Sequence, residues 1–437
     1  MSERVGLPAM EEAEQALELY QLDYSDLILL SSAKDSSSSS FQQIQRLQLI
    51  TQTVMENLGP TGPGLIAVKS VPVASNLRRS LLPLARKLAL LNYEDQNRIL
   101  KEHNLGSDVP LKNLDRMVSS FASQLNYNRT DMDSTEGEAI VVNDDIERHK
   151  DELSAEFENL QHDFKELGIR LMEIGLCLAR ICDGVIGSRE LEQSLLESCT
   201  AKGRLIHYHS TVDNCIIKQA AKRKGLSNGR CPANGTTKAS LQRALAKSSC
   251  GGRGDLWQQW HYDYGIFTVL TDPMFILSSD QEFPSPSGHT YLKIFHPEKD
   301  SVFMVKAPPE SVIVQVGEAA DILSKGMLRA TLHCVCKPVD LVELSRETFV
   351  VFLQPAWSKT FSLLDYPAER LKSGYQQADL SAKDNHDAEL EPKDLFREIH
   401  NIVPPLSLRM RHGMTFAEFS RETTKQYYGG SGLQSKR

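Results

Sequence analysis

The stretch LWQQWHYDYGIFTVLTDP, residues 256 to 273, sets an imidazole and a carboxylate two positions apart, His261 and Asp263, before an apolar run rich in β-branched and aromatic residues. Such a run reads as a buried strand. Successive side chains of a strand point to opposite sides. Read as its first residues, His261 and Asp263 therefore project together and can grip one metal ion. The pair decides little alone, because a chain with 12 His yields roughly one His-x-Asp by chance at ordinary Asp frequencies.

Outward from this pair, short runs rich in Val, Ile, Phe and Tyr recur after residue 200, separated by Gly, Pro, Asp and Ser. They are RLIHYH (204 to 209), YGIFTVL (264 to 270), MFIL (274 to 277), TYLKIF (290 to 295), SVFMVK (301 to 306), SVIVQV (311 to 316), LRATLHCV (328 to 335) and TFVVFLQ (348 to 354). Eight short strands predict a mainly β core built as a jelly roll, or double-stranded β-helix, over residues 201 to 357. The polar segment 216 to 255 reads as a long loop that interrupts the series and covers the site.

Residues 1 to 200 read as a mostly helical region, with one or two short helices before residue 30, a serine-rich linker, and a helix over 41 to 57. A strand at 65 to 72 and an amphipathic helix from Leu77 follow. Between 146 and 183 the apolar positions step by four and three, which predicts one long helix. Gly168, Gly175 and a missing e/g charge pattern favour its packing on its own domain over a coiled coil. A monomer is therefore expected, with residues 151 to 181 as the surface that a dimer would use. Residues 358 to 437 read as a polar, acidic linker and a final helix opened by a Thr415/Glu418 capping box.

A net charge of −8 argues against a nucleic-acid partner, which needs clustered Lys and Arg. No apolar run approaches the roughly 20 residues that span a bilayer, and MSERVGLPAMEEAEQ lacks the features of a signal peptide, so a cytoplasmic protein is expected. Among the eight Cys no CxxC pair occurs, and alternation would turn Cys334 and Cys336 away from the face of His333.

Two histidines and one carboxylate can hold Fe(II) on one face of an octahedron and leave the other positions open. His289 and His296 fall in turns, whereas His333 lies inside the strand LRATLHCV, where a jelly roll brings it opposite His261. Arg346 and Thr348 in LSRETFVVFLQP stand two apart at the entrance to the last strand, a guanidinium fork and a hydroxyl suited to a carboxylate. A rival set exists: His207 and His209 also share a strand face, and with His261 they would make a three-His zinc site.

The order HYD, then VQVGEAADILSKGMLRATLHCV, then SRETFVVFLQP resembles the C-terminal half of plant-type 2-oxoglutarate and Fe(II)-dependent dioxygenases, the isopenicillin N synthase-like family. The resemblance covers about 256 to 356 and is weaker before residue 200. It implies His261, Asp263 and His333 as iron ligands, Arg346 and Thr348 as the anchor for the distal carboxylate of 2-oxoglutarate, and Tyr208 as a further co-substrate contact. It implies O₂ as oxidant, with hydroxylation or desaturation of a small organic molecule and release of succinate and CO₂. Thr348 stands where the family has serine, and His207-Tyr208-His209-Ser210 stands where the family has Asn-Tyr-x-Pro. Two alternatives are a cupin-like metal enzyme that does not use 2-oxoglutarate and a non-catalytic jelly-roll interaction protein.

Overall fold

The computed structural model describes residues 15–32, 41–127, 152–225, 256–338, 341–372, 399 and 402–428. Its strands, in chain order, are β1 (Ala16–Glu18), β2 (Gln21–Asp23), β3 (Leu65–Lys69), β4 (Gly106–Ser107), β5 (Val118–Asn126), β6 (Thr200–Tyr208), β7 (Leu256–His261) and β8 (Phe267–Thr271). They continue with β9 (Met274–Leu277), β10 (Glu282–Phe283), β11 (Leu292–His296), β12 (Ser301–Lys306), β13 (Val312–Val316), β14 (His333–Cys336) and β15 (Leu344–Leu353).

Two sheets result. The larger runs β2-β3-β13-β8-β15-β6-β5-β4, with β9 also on β15 and β10 on β9; the smaller runs β1-β12-β11-β14-β7. From β6 onward the chain alternates between them, passing from β6 to β7, back to β8, across to β11 and β12, and then through β13, β14 and β15. Residues neighbouring in space thus come from distant segments.

Side-chain alternation sorts the large sheet into two faces. Along β15, Phe349, Val351 and Leu353 pack into the core shared with the helices, whereas Val350 joins Ile206, Trp257, Leu270, Ile294, Ile313 and Val335 in a second core between the sheets. The helix Leu160–Ile186 lies against the first face through Phe164, Leu167, Leu171 and Leu178. At Gly175 an added Cβ would come within 1.9 Å of a Leu353 methyl, so the lack of a side chain there lets helix and sheet approach. The apolar stripe of this helix is covered by the chain's own sheet and by the helices Tyr24–Ser32, Ala74–Leu90 and Glu190–Ser198.

Several sequence expectations shift. The first 30 residues form β1 and β2 before the helix Tyr24–Ser32, because β1 gains a partner in β12 and β2 in β3, pairings that outweigh local propensity. The helix expected over 146 to 183 occurs as Glu152–Glu156 and Leu160–Ile186. Residues 216 to 225 belong to the helix Thr211–Gly225, since KQAAKRKG contains no breaker before Gly225. The rest of that expected loop, 226 to 255, the serine-rich stretch after residue 32 and most of the acidic linker lie outside the described residues. The strands β3 and β5, from the region expected to be mostly helical, extend the large sheet. The capping box is present at the helix Phe416–Tyr428: the Thr415 amide donates to Glu418 Oε2 at 2.8 Å and the Glu418 amide to Thr415 Oγ1 at 3.3 Å. Among the described residues no helix is long and apolar enough to cross a membrane.

One backbone crossing carries the site. The short helix Glu318–Leu323 begins against the turn after Asp263, with the Glu318 amide donating to the Asp263 carbonyl at 2.8 Å and the Ala319 amide to that of Gly265 at 2.9 Å. A Cβ at Gly317 would stand 2.3 Å from the Gly265 carbonyl oxygen, a backbone atom with nowhere to go. Gly317→Ala is therefore expected to lower stability by about 1–3 kcal/mol, the usual range for overpacking, read as a fall in the urea unfolding midpoint.

Candidate metal centre and its cavity

His261 ends β7 and Asp263 lies in the connection before β8, so the pair does not open a strand as the alternation had suggested. The turn through Gly265 and the amide of Glu318 place the carboxylate instead. His333 opens β14 and sits directly across from His261 in the antiparallel ladder. Adjacent strands hold opposed side chains close, and here the two ring centroids are 4.2 Å apart.

The three side chains converge. His261 Nε2 lies 3.7 Å from Asp263 Oδ1, and His333 Nε2 lies 3.8 Å from Asp263 Oδ2. One ligand atom from each falls within 4.8 Å of the others, and among the described residues this is the one such group of His, Cys, Asp and Glu.

Backbone carbonyls fix the ring orientations. His261 Nδ1 is 2.8 Å from the Gln259 carbonyl and His333 Nδ1 is 3.0 Å from the Thr331 carbonyl. A carbonyl only accepts, so each Nδ1 carries a proton and each Nε2 is turned toward Asp263. The Gln258 amide donates to His261 Nε2 at 2.9 Å, which marks that atom as an acceptor. Burial first, and then the neighbouring His333, lower the pKa of His261 and hold its ring in the neutral, ligating form. Thr268 Oγ1 donates to Asp263 Oδ2 at 2.6 Å and orients the carboxylate. Two imidazoles whose Nε2 atoms face one oriented carboxylate fit a divalent ion bound on one side. Thr268→Val, which removes this outer bond, is expected to weaken Fe(II) binding about 10-fold or more, measured by competition with a chelating dye.

The triad opens on a cavity of about 740 Å³ between the sheets, which Arg346, Thr348 and Tyr208 also line. Arg346 and Thr348 lie within β15 rather than at its entrance, since the strand starts at Leu344. Arg346 faces Tyr208 across the ladder, with the guanidinium carbon 5.1 Å from the phenol ring centre. It is 1 % exposed, its Nε donates to the Thr290 carbonyl at 3.0 Å, and no carboxylate among the described residues pairs with it. Burial lowers its pKa. Thr348 Oγ1 reaches the Thr271 carbonyl at 3.3 Å, and Tyr208 donates to Gln258 Oε1 at 3.1 Å. The cavity wall is otherwise largely apolar, through Ile206, Trp257, Leu270, Leu292, Val350 and Phe352.

The rival three-His set is not assembled. His207 and His209 project from the opposite face of β6, where His207 Nδ1 meets Glu347 at 2.9 Å and His209 Nε2 meets Ser119 Oγ at 2.8 Å. His261 faces the cavity on the other side of that strand. Alternation places Cys334 outward with Trp260 and Leu332, as expected.

No family model matches the chain, and no curated protein does. Solved structures do. The chain is similar to dioxygenases of known structure. The rice dioxygenase for auxin oxidation shares 16% identity at a TM-score of 0.47, covering 91% of this chain and 98% of its own. A full-length Neurospora crassa protein in complex with alpha-KG shares 12% at 0.47, covering 87% and 95%. The Arabidopsis thaliana dioxygenase for auxin oxidation 1, in its 2-oxoglutarate complex, shares 16% at 0.45, covering 78% and 94%.

Sequence reasoning missed Thr268, Gln258 and the carbonyls of Gln259 and Thr331. A signal for the carbonyls was available, since each lies two residues before a candidate histidine ligand. Thr268 and Gln258 become partners only through the fold.

Proposed function

We propose that the protein is a non-haem Fe(II) and 2-oxoglutarate-dependent dioxygenase of the isopenicillin N synthase-like type. It oxidises a small organic molecule and releases succinate and CO₂. Strands β6-β15-β8-β13 and β7-β14-β11-β12 are read as the two faces of its double-stranded β-helix core, within residues 201 to 357.

The observation that carries this reading is Arg346, a buried guanidinium that pairs with no carboxylate among the described residues, in the cavity that also holds the His261, Asp263 and His333 triad. A desolvated cation is destabilising unless an anion meets it, and a guanidinium fork matches a carboxylate in its plane. In this reading Arg346 binds the far carboxylate of 2-oxoglutarate, Thr348 exchanges its long bond to Thr271 for a carboxylate oxygen, and the Tyr208 ring supports the guanidinium. Iron, held by His261, Asp263 and His333, supplies the activation of O₂ when bound. Thr268 and the carbonyls of Gln259 and Thr331 keep the ligands in position, while Leu270, Val350 and Phe352 exclude water from the reacting atoms.

Anaerobic titration of Fe(II) with 2-oxoglutarate tests the assignment. A visible metal-to-ligand charge-transfer band is expected, and its absence from the wild-type protein would discredit the chemistry. Under the cupin-like alternative, substrate oxidation would proceed without 2-oxoglutarate and survive loss of Arg346. Under the scaffold alternative, function would survive His261→Ala.

A further inference from the structure

A second cavity, of about 580 Å³, lies on the outer side of the small sheet and takes in Tyr262, which stands between the ligands His261 and Asp263. Tyr262 packs outward with Trp260, Cys334 and Val403, away from the first cavity. The lining carries three guanidiniums, Arg329, Arg370 and Arg409, against two carboxylates, Glu318 and Asp321.

Both carboxylates are engaged. Arg409 grips Glu318 through both terminal nitrogens, one at 2.7 Å. Asp321 accepts from Arg370 Nη1 at 3.0 Å, from the Tyr366 hydroxyl at 3.0 Å and from the Ala330 amide at 3.1 Å. Arg329 is left with one bond, from Nη1 to the Pro60 carbonyl at 2.9 Å, and pairs with no carboxylate among the described residues. The Tyr262 hydroxyl makes no hydrogen bond among them either. A guanidinium fork and a phenolic hydroxyl thus line one half-enclosed space with donor capacity unused among the described residues, whose lining side chains carry three guanidiniums and two carboxylates. Oxyanions bind where charged donors converge in this way.

We propose that this cavity binds a small oxyanion, the phosphate or carboxylate group of a ligand, through Arg329 and Tyr262. The site is distinct from the dioxygenase cavity and does not depend on that reading. Its ligand would touch both segments that hold the metal, since Tyr262 separates two ligands and Arg329 lies just before the Thr331–His333 segment.

Isothermal titration of the full chain at constant ionic strength, with inorganic phosphate in one arm and acetate in the other, tests this. One saturable site that persists in Arg346→Gln is expected, and the tighter arm identifies the headgroup. Arg329→Gln should weaken binding about tenfold or more. Arg329→Lys should retain part of it and serves as the folded control. Arg346→Gln, in the other cavity, should leave it unchanged. No saturable heat in either arm, binding that persists in Arg329→Gln, or binding abolished by Arg346→Gln would each overturn the site.

Discussion

Arg346→Gln is expected to raise the KM for 2-oxoglutarate at least about 100-fold while leaving Fe(II) affinity within about twofold. The guanidinium is 1 % exposed, donates from Nε to the Thr290 carbonyl and forms no ion pair among the described residues, so its terminal nitrogens have no carboxylate partner there. Glutamine keeps one donor near the position of Nε but removes the charge and the fork. Arg346→Lys should fail almost as badly, because an ammonium cannot make two parallel bonds to one carboxylate. Removal of an isolated buried charge also relieves a folding penalty, so the unfolding midpoint of Arg346→Gln should not fall. Activity lost with stability preserved is what a co-substrate anchor gives. Succinate formation measured against 2-oxoglutarate concentration separates the cases, and an unchanged KM would rule the anchor out.

His333→Ala is expected to reduce Fe(II) affinity more than about 100-fold, beyond the 10–100-fold usual for an outer partner, and to abolish turnover. His207→Ala provides the contrast. Its ring is fully buried against Glu347 on the other face of β6, so its loss should lower stability and leave iron binding intact. Calorimetry of both variants with Fe(II) under anaerobic conditions makes the comparison, and a larger iron defect in His207→Ala would restore the three-His set.

The site was legible in the sequence to the extent that its chemistry sits on strands with a clean two-residue period. His333 was preferred to His289 and His296 because those two were read as turn residues, yet His296 is the buried last residue of β11 and only its distance from Asp263 sets it apart; Arg346 and Thr348 share a face by alternation within β15. Asp263 was named for an incomplete reason: the carboxylate joins the triad through a turn and the amide of Glu318, fifty-five positions later, which no local pattern reveals. The strands β1 and β2 were misread as helical because each is three residues long and exists through partners far along the chain. The helix Leu160–Ile186 was legible because its stripe is long, and Gly175, read as unsuited to a coiled coil, meets Leu353 of the sheet.

The bond from the Glu318 amide to the carbonyl of Asp263 ties the candidate metal centre to residues more than a hundred positions beyond it. Glu318 is clasped by Arg409, which also donates to Thr423 Oγ1 at 3.1 Å on the helix Phe416–Tyr428. Arg409→Gln would thus remove a brace from a candidate ligand without touching any group that lines the cavity between the sheets, so the metal pocket should slacken while Phe416 and Phe419 keep the helix in the core.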